Sequence, residues 1–346
     1  MKTYTIKNIA ELAGVSKGTV DRVIHKRGKV SEKALKKVSE VLKEIDYKPN
    51  LLARSLKNTK KYHICVVLPD FNIDAFWHPC HESIQEAIAE FSSFGIFIEP
   101  YFFNPTDVAS FIEINAKVLK RTPNAVLIAP LFYKETVQIV DAYNEVNIIV
   151  SKFNNPLEIE SAKNFVGQDL FMSGRVAANL VSSISQNNIA IAIINIDEDS
   201  DNAIYIKEKE RGFRSYFNEK ENLTYKIDTY NLKQDYLKEE LDIILKSDVK
   251  AIFVTTSKIY KVAEYIEQKN LKELKLIGYD LLSENIHFLN NNFIDFLIHQ
   301  NPKKQVYLGL KFLVDFFLFD KEIPSESLLS IDVITSENLK SYLNEF

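Results

Sequence analysis

After residue 62 the chain keeps returning to one unit, a short apolar run followed by an amphipathic stretch of helical period. HICVVLP precedes WHPCHESIQEAIAEFSSFG, IFIEPYF precedes FIEINAKVLKR, and AVLIAP precedes TVQIVDAYN. A second series follows: NIAIAIINI, KEKERGFRSYFNE, LTYKIDTY, QDYLKEELDIILK, AIFVTT and LKLIGYD. Runs that are apolar at nearly every position need cover on both faces, which parallel strands between layers of helices provide. Two such series predict two α/β lobes, each a doubly wound parallel sheet, with a cleft between them. Ligands of open α/β sheets sit beyond the carboxyl ends of the strands.

The residues ahead of this pattern differ in charge. Residues 1–61 hold 16 Lys and Arg against 6 Asp and Glu, which leaves 27 against 41 for residues 62–346, although the whole chain is only −4. A small basic head and a large acidic body predict different partners, and a polyanion suits the head. Thr5 can cap a helix over IKNIAELA with Ile6, Ile9, Ala10 and Ala13 on one face, ended by Gly14. Ser16 caps the next, KGTVDRVI, and so short a separation is the turn of a helix-turn-helix. Val20, Val23 and Ile24 face inward, and Lys17, Gly18, Asp21 and Arg22 face outward. Ser31 begins a third helix, SEKALKKVSEVLKEIDY, with Ala34, Leu35, Val38, Val41, Leu42 and Ile45 on its core stripe. The segment from Pro49 to Lys57 starts as a helix should but is too short to be stable in water alone.

The wording TIKNIAELAGVS, TVDRVI, KVSEKALKKVSEVLKEIDYKPN and ARSLK resembles, without a gap across the basic head, the headpiece of LacI-family transcription regulators. The resemblance implies an all-α DNA-binding headpiece over residues 1–48 and a hinge helix with linker over 49–61. It places Lys17, Gly18 and Arg22 at base-reading positions and Ser16 and Thr19 at phosphates, with Thr5, His25, Lys29 and Asn50 as further DNA contacts. Leu56 takes the place of the leucine that wedges into the minor groove. The chemistry agrees, since Arg22 can fork onto guanine and the amides of a helix start suit phosphate. Three residues depart from the family: Gly18 has no side chain with which to read a base, Asp21 replaces a small hydroxyl residue, and His25 replaces an Asn.

The body, residues 62–346, resembles the family's periplasmic-binding-protein-like sensor of small molecules. Three crossings between lobes are implied, with lobe 1 near 62–165 and 300–326 and lobe 2 near 166–299 and 327–346. At the strand ends stand Asp70, Asn154, Asp197, Thr256, Asp280 and Gln300. The resemblance makes Asp280 and Gln300 effector contacts, puts Thr256 or Ser257 where the family has Asn, and puts Lys209 where it has a ligand-binding arginine, with Arg211 one register shift away. Phe76 and Trp77 offer aromatic faces to a sugar ring. The blander readings are that Asp70 and Asp197 cap helices and that Phe76 and Trp77 are core.

The chain has nine glycines and lacks GxxxxGK[ST], GxSxG and the Rossmann fingerprint. His287 and His299 lie near Asp280 and Asp295, but no nucleophile accompanies them, so no enzyme and no cofactor are expected. His78-Pro79-Cys80-His81 offers metal donors but no second ligand pair, and reads as a helix start, so no metal is expected. Two cysteines, no apolar leader in MKTYTIKN and no membrane-length apolar run read as a reduced cytoplasmic protein. The expected function is a repressor: a homodimer on a pseudo-palindromic operator, controlled by a small ligand, most simply a carbohydrate. The alternative is a DNA-binding regulator without an effector, controlled by protein partners or abundance.

Overall fold

The computed structural model describes residues 5–24, 28, 30–45, 60–159, 161–186, 188–197, 204–220 and 225–343. The chain divides into two compact units, Met1–Thr59 and Lys60–Phe346. In the smaller, α1 (Ile6–Ala13) opens on a reciprocal cap: Thr5 Oγ1 accepts from the Asn8 amide at 3.3 Å, and Asn8 Oδ1 accepts from the Thr5 amide at 3.0 Å. Gly14, at φ 63, closes it in the left-handed conformation that glycine adopts without cost. The next helix, α2 (Lys17–Ile24), starts on Ser16, whose Oγ accepts from the Thr19 amide at 3.1 Å. Ser31 does the same for α3 (Glu32–Glu44). Ile9, Ala10, Ala13, Val20 and Val38 form the core, with Val23, Ile24, Val41, Leu42 and Ile45 half-buried around it. Leu35, expected in that stripe, is 47% exposed. Ala34 in the same turn is half-buried, so Leu35 lies at the edge of the stripe among the described residues.

The larger unit holds two six-stranded sheets. The first is built from β1 (Tyr62–Pro69), β2 (Ile96–Phe103), β3 (Ala125–Ile128), β4 (Ile149–Phe153), β5 (Asn164–Gly167) and β11 (Glu326–Leu328). Its order is β11-β5-β4-β3-β1-β2, with every pair parallel. One face is covered by α4 (His78–Phe91) and α12 (Pro302–Phe319), the other by α5 (Val108–Arg121) and α6 (Tyr133–Glu145). The second sheet comprises β6 (Ala190–Ile196), β7 (Lys226–Leu232), β8 (Val249–Val254), β9 (Lys275–Tyr279), β10 (Phe296–His299) and β12 (Asp332–Ile334), in the order β12-β10-β9-β8-β6-β7. Here α7 (Leu170–Ile184) and α8 (Ile204–Asn218) cover one face; α9 (Leu237–Ile244), α10 (Ile259–Lys269), α11 (Ser283–Asn290) and α13 (Leu339–Leu343) cover the other. Strand order reverses beside β1 in the first sheet and beside β6 in the second, which puts the switch points at the ends carrying Asp70 and Asp197.

Two details differ from expectation. β5 runs to Gly167 and β11 to Leu328 before the chain leaves the first sheet, so the crossings lie at 168–169, 300–301 and 329–331 rather than at 165 and 326. β12 is antiparallel to β10, so the second sheet is not wholly parallel. The cause is the short third connector: a chain that exits the first sheet at its cleft end and turns directly into the second must run against it, whereas a parallel strand requires a long crossover. Among the described residues, no helix is long and apolar enough to cross a membrane.

Candidate nucleic-acid interface and ligand cleft

On α2 the inward residues leave Lys17, Gly18, Asp21 and Arg22 exposed, with exposed Ser16 at the helix start. Thr19 is half-buried and its hydroxyl lies 2.9 Å from Ser16 Oγ. Thr5 is exposed but committed to its cap. The helix therefore presents two cations and a hydroxyl-capped N-terminus on one side, an arrangement suited to phosphate and base edges. A Cβ on Gly18 would meet nothing closer than Ser16 Oγ at 3.8 Å, so nothing in the described head requires glycine there. His25, Lys29, Asn50 and Leu56 lie outside the described residues.

In the body the ends of β9 and β10 bring Asp280 and Gln300 together. Asp280 follows β9 at φ 69, and its carboxylate accepts from the Gln300 amide at 3.1 Å and from Gln300 Nε2 at 2.6 Å. Lys209 is 2% exposed; its ammonium donates to Thr255 O at 3.0 Å and sits 3.6 Å from the centre of the Tyr279 ring. Asn154, Asp197 and Asp280 all have positive φ (71, 54 and 69), a conformation that Asn and Asp tolerate best among non-glycine residues. Asp70 does not cap a helix but closes a turn, accepting from the Asn72 amide at 2.9 Å, while the short helix that follows is capped by Asp74; Asp197 accepts from the Gln234 amide at 2.8 Å at the start of a short helical turn. Thr256 is buried and accepts from the Lys258 amide at 3.4 Å. Phe76 reaches a recess of about 170 Å3 that it shares with Pro79 and Lys303 of the first lobe and Asp280, Leu282 and His299 of the second. Trp77 does not: it is core, edge-on to Phe153. Arg211, the register alternative to Lys209, lines a separate hollow of about 650 Å3, paired to Glu208 at 2.6 Å with its guanidinium over Phe171. That hollow is larger but is lined by none of Asp70, Asn154, Asp197, Thr256, Asp280 and Gln300, whereas the smaller recess reaches Asp280.

Burial pushes the Asp280 carboxyl up to about 6, while Lys209 and the two Gln300 hydrogen bonds hold it back and Asp74 of the first lobe adds to the rise. His299 is pushed down to about 4 by burial, against the pull of Asp332. Its ring nitrogens have no hydrogen-bond partner, and Nδ1 is 3.9 Å from Asp280 Oδ1. A neutral imidazole thus borders a carboxylate whose charge is costly, which is a polar, desolvated setting for a hydroxyl-bearing ligand.

Comparison with known proteins identifies both parts of the chain. Residues 64–319 match the periplasmic binding protein domain, and residues 5–50 match the lacI family of bacterial regulatory proteins. A solved protein from Bacteroides fragilis, assigned as a LacI transcriptional regulator, superposes with a TM-score of 0.76 at 30% identity over 82% of this chain and 100% of its own. The chain belongs to the LacI family. Its similarity to the sucrose operon repressor of Streptococcus mutans runs to 26% identity over 96% of this chain and 99% of that protein. To the ribose operon repressor of Lactococcus lactis it is 24% over 80% of each. The relatives are regulators rather than enzymes, and this LacI-family chain is a DNA-binding transcriptional regulator.

Several residues that support the cleft of this LacI-family chain escaped sequence reading. Asn285 donates to Ser257 O, Tyr279 O and Asp280 O at 2.9 to 3.0 Å, binding the ends of β8 and β9 together. Gln168 Nε2 donates to His299 O at 2.9 Å and Ser330 O at 2.6 Å, so one side chain ties all three connectors. The helix α7, which no quoted motif covered, crosses α8 at Gly174 and Gly212. A Cβ on Gly174 would lie 1.9 Å from Lys209 O, and one on Gly212 would lie 1.9 Å from Phe171 O. That close approach sets where Lys209 enters the cleft. Only the glycine of KERGF hinted at it. The donors of His78-Pro79-Cys80-His81 do not converge: Cys80 Sγ donates to Pro302 O, His78 pairs with Glu82, and His81 stacks on Phe71.

Proposed function

We propose that this regulator is a repressor whose operator affinity is set by a sugar or sugar derivative held against Asp280, Gln300 and Lys209 between the lobes. The observation that carries the reading is the buried Asp280–Gln300–Lys209 group, supplied by strand ends and α8 and flanked by Phe76 from the opposite lobe. A carboxylate and a carboxamide aligned side by side suit vicinal hydroxyls, and an aromatic face suits the apolar side of a pyranose or furanose. The printed names of its relatives, a sucrose and a ribose operon repressor, point the same way.

In this reading the chain works in the cytoplasm as a homodimer, with Lys17 and Arg22 of each copy in the major groove of one half-site. The hinge segment, Pro49 to Lys57, gains its helix on DNA in this reading, with Leu56 as a minor-groove wedge. Ligand closes the lobes and changes that ordering, and a coupling of about 1 to 3 kcal/mol changes operator affinity roughly 5- to 150-fold. The test is calorimetry of the full chain against neutral mono- and disaccharides, with operator binding measured at each positive. Heat with one sugar, lost in Asp280→Asn, and a matching shift in operator affinity are expected. No heat with any sugar, together with unchanged operator affinity, overturns the reading in favour of an effectorless regulator.

A further inference from the structure

Among the described residues, one grouping of His, Cys and carboxylate side chains lies within metal-ligand reach, and it is far from the cleft chemistry: His63, Cys65 and Glu99. His63 and Cys65 are two apart on β1, so strand alternation puts both on one face. β2 runs parallel beside them with Glu99 opposite Cys65. His63 Nε2 lies 3.0 Å from Glu99 Oε2 and 3.4 Å from Cys65 Sγ, and all three donor atoms lie within 4.8 Å of one another.

Those spacings are close to what an ion needs. Tetrahedral zinc, with bonds of about 2.0 Å to nitrogen or oxygen and about 2.3 Å to sulfur, separates its donors by roughly 3.3 to 3.7 Å. A mixed sulfur, nitrogen and oxygen set selects zinc-like ions over magnesium or calcium, which take oxygen donors. Glu99 is also held from outside the trio: its Oε1 is 3.7 Å from Arg121 Nη2, and Arg121 Nε donates to Tyr101 OH at 3.3 Å. Such outer contacts orient a ligating carboxylate. The His63 and Glu99 side chains are 23% and 26% exposed, which gives an ion access from solvent, while Cys65 forms the buried floor.

We propose that His63, Cys65 and Glu99 form a three-ligand site for zinc or a similar divalent cation, with water as the fourth ligand. Binding replaces the Cys65 thiol proton, which leaves to solvent, and no group is oxidised or reduced. The ion would bridge the first strand of the body to its edge strand β2, immediately after the segment that follows the head.

Titration of the metal-free full-length protein with Co2+ alone, read by thiolate-to-cobalt charge-transfer absorption and reversed by Zn2+, tests this. Saturation at one equivalent is expected. The band should vanish in Cys65→Ser and persist in Cys80→Ser, and Glu99→Gln or His63→Gln should weaken binding at least tenfold. A folded wild-type protein without the band, or a band that survives Cys65→Ser, overturns the proposal. Should Cys65→Ser fail to fold by circular dichroism, the His63→Gln and Glu99→Gln variants decide, and unchanged affinity in both is equally fatal.

Discussion

The head and the body present their sites in opposite ways. In the head, Ser16, Lys17, Gly18 and Arg22 lie within about two turns at the start of α2, and the helical period alone decides that they face outward. In the body, Lys209, Asp280 and Gln300 come from α8, the end of β9 and the second connector, and are brought together by the neighbouring strands β8, β9 and β10 of the second sheet ending side by side beneath α8. A surface carried on one short helix tolerates changes in what it shows. A site assembled from distant segments depends on the packing that holds those segments together.

Glycine substitutions test that contrast most severely. Gly212→Ala drives a methyl group into the Phe171 carbonyl, with backbone on both sides and nothing flexible to give way. The body should lose about 3 kcal/mol or more in chemical denaturation, with the head transition unchanged. An unshifted body midpoint would show that the α7–α8 crossing is slack.

A second test uses pH, because among the described residues the strongly shifted acid and histidine, Asp280 and His299, are both in the body. Asp280, raised from 3.8 to about 6, keeps its proton in the folded chain where the unfolded chain has released it, so its contribution to stability falls as pH rises through that window. His299, lowered from 6.5 to about 4, does the reverse: the unfolded chain takes up the proton first, and stability falls as pH drops through its window. Each is worth on the order of 2 to 3 kcal/mol, and the two slopes oppose one another. Asp280→Asn should leave stability that rises from about pH 4 to 6.5, and His299→Gln stability that falls from about pH 4 to 6. Parallel curves for the two variants would contradict the assignment.

The smaller effects belong to the head. Arg22→Ala should cost about 1 to 3 kcal/mol on the operator and almost nothing on unrelated duplex; equal losses in a gel-shift titration would reduce Arg22 to a phosphate contact. Gly18→Ala meets open space and should raise head stability by up to about 1 kcal/mol, the opposite sign to Gly212→Ala. A lower head melting temperature would show that glycine is needed there after all.

Much of this was readable in the residues. The caps Thr5, Ser16 and Ser31, the left-handed Gly14 and the inward valines follow from local rules, and the helices of the described part of the head match their expectation apart from Leu35. The strand runs of both lobes were visible because buried parallel strands are apolar throughout. The short strands β5, β11 and β12 were not, since NFVG, ESL and DVI mix polar with apolar residues and lack the unbroken apolar run that makes the equally short β3 visible. Nor were Asn285 and Gln168, because a buried amide that stitches connectors looks in sequence like any polar residue.

By itself, then, the sequence settled what lies within a few residues of itself: where helices start and stop, which face turns inward, and that a basic head precedes an acidic body. Caps and periods act over one or two turns, so no distant segment has to be known. Which side chains meet across the chain was left to the tertiary structure. Three donors within four residues, His78, Cys80 and His81, were scattered by α4 and its neighbours, while His63, Cys65 and Glu99 were brought together by the register of two strands. Strand pairing is set by the packing of a whole sheet, and a shift of one residue sends every side chain to the other face.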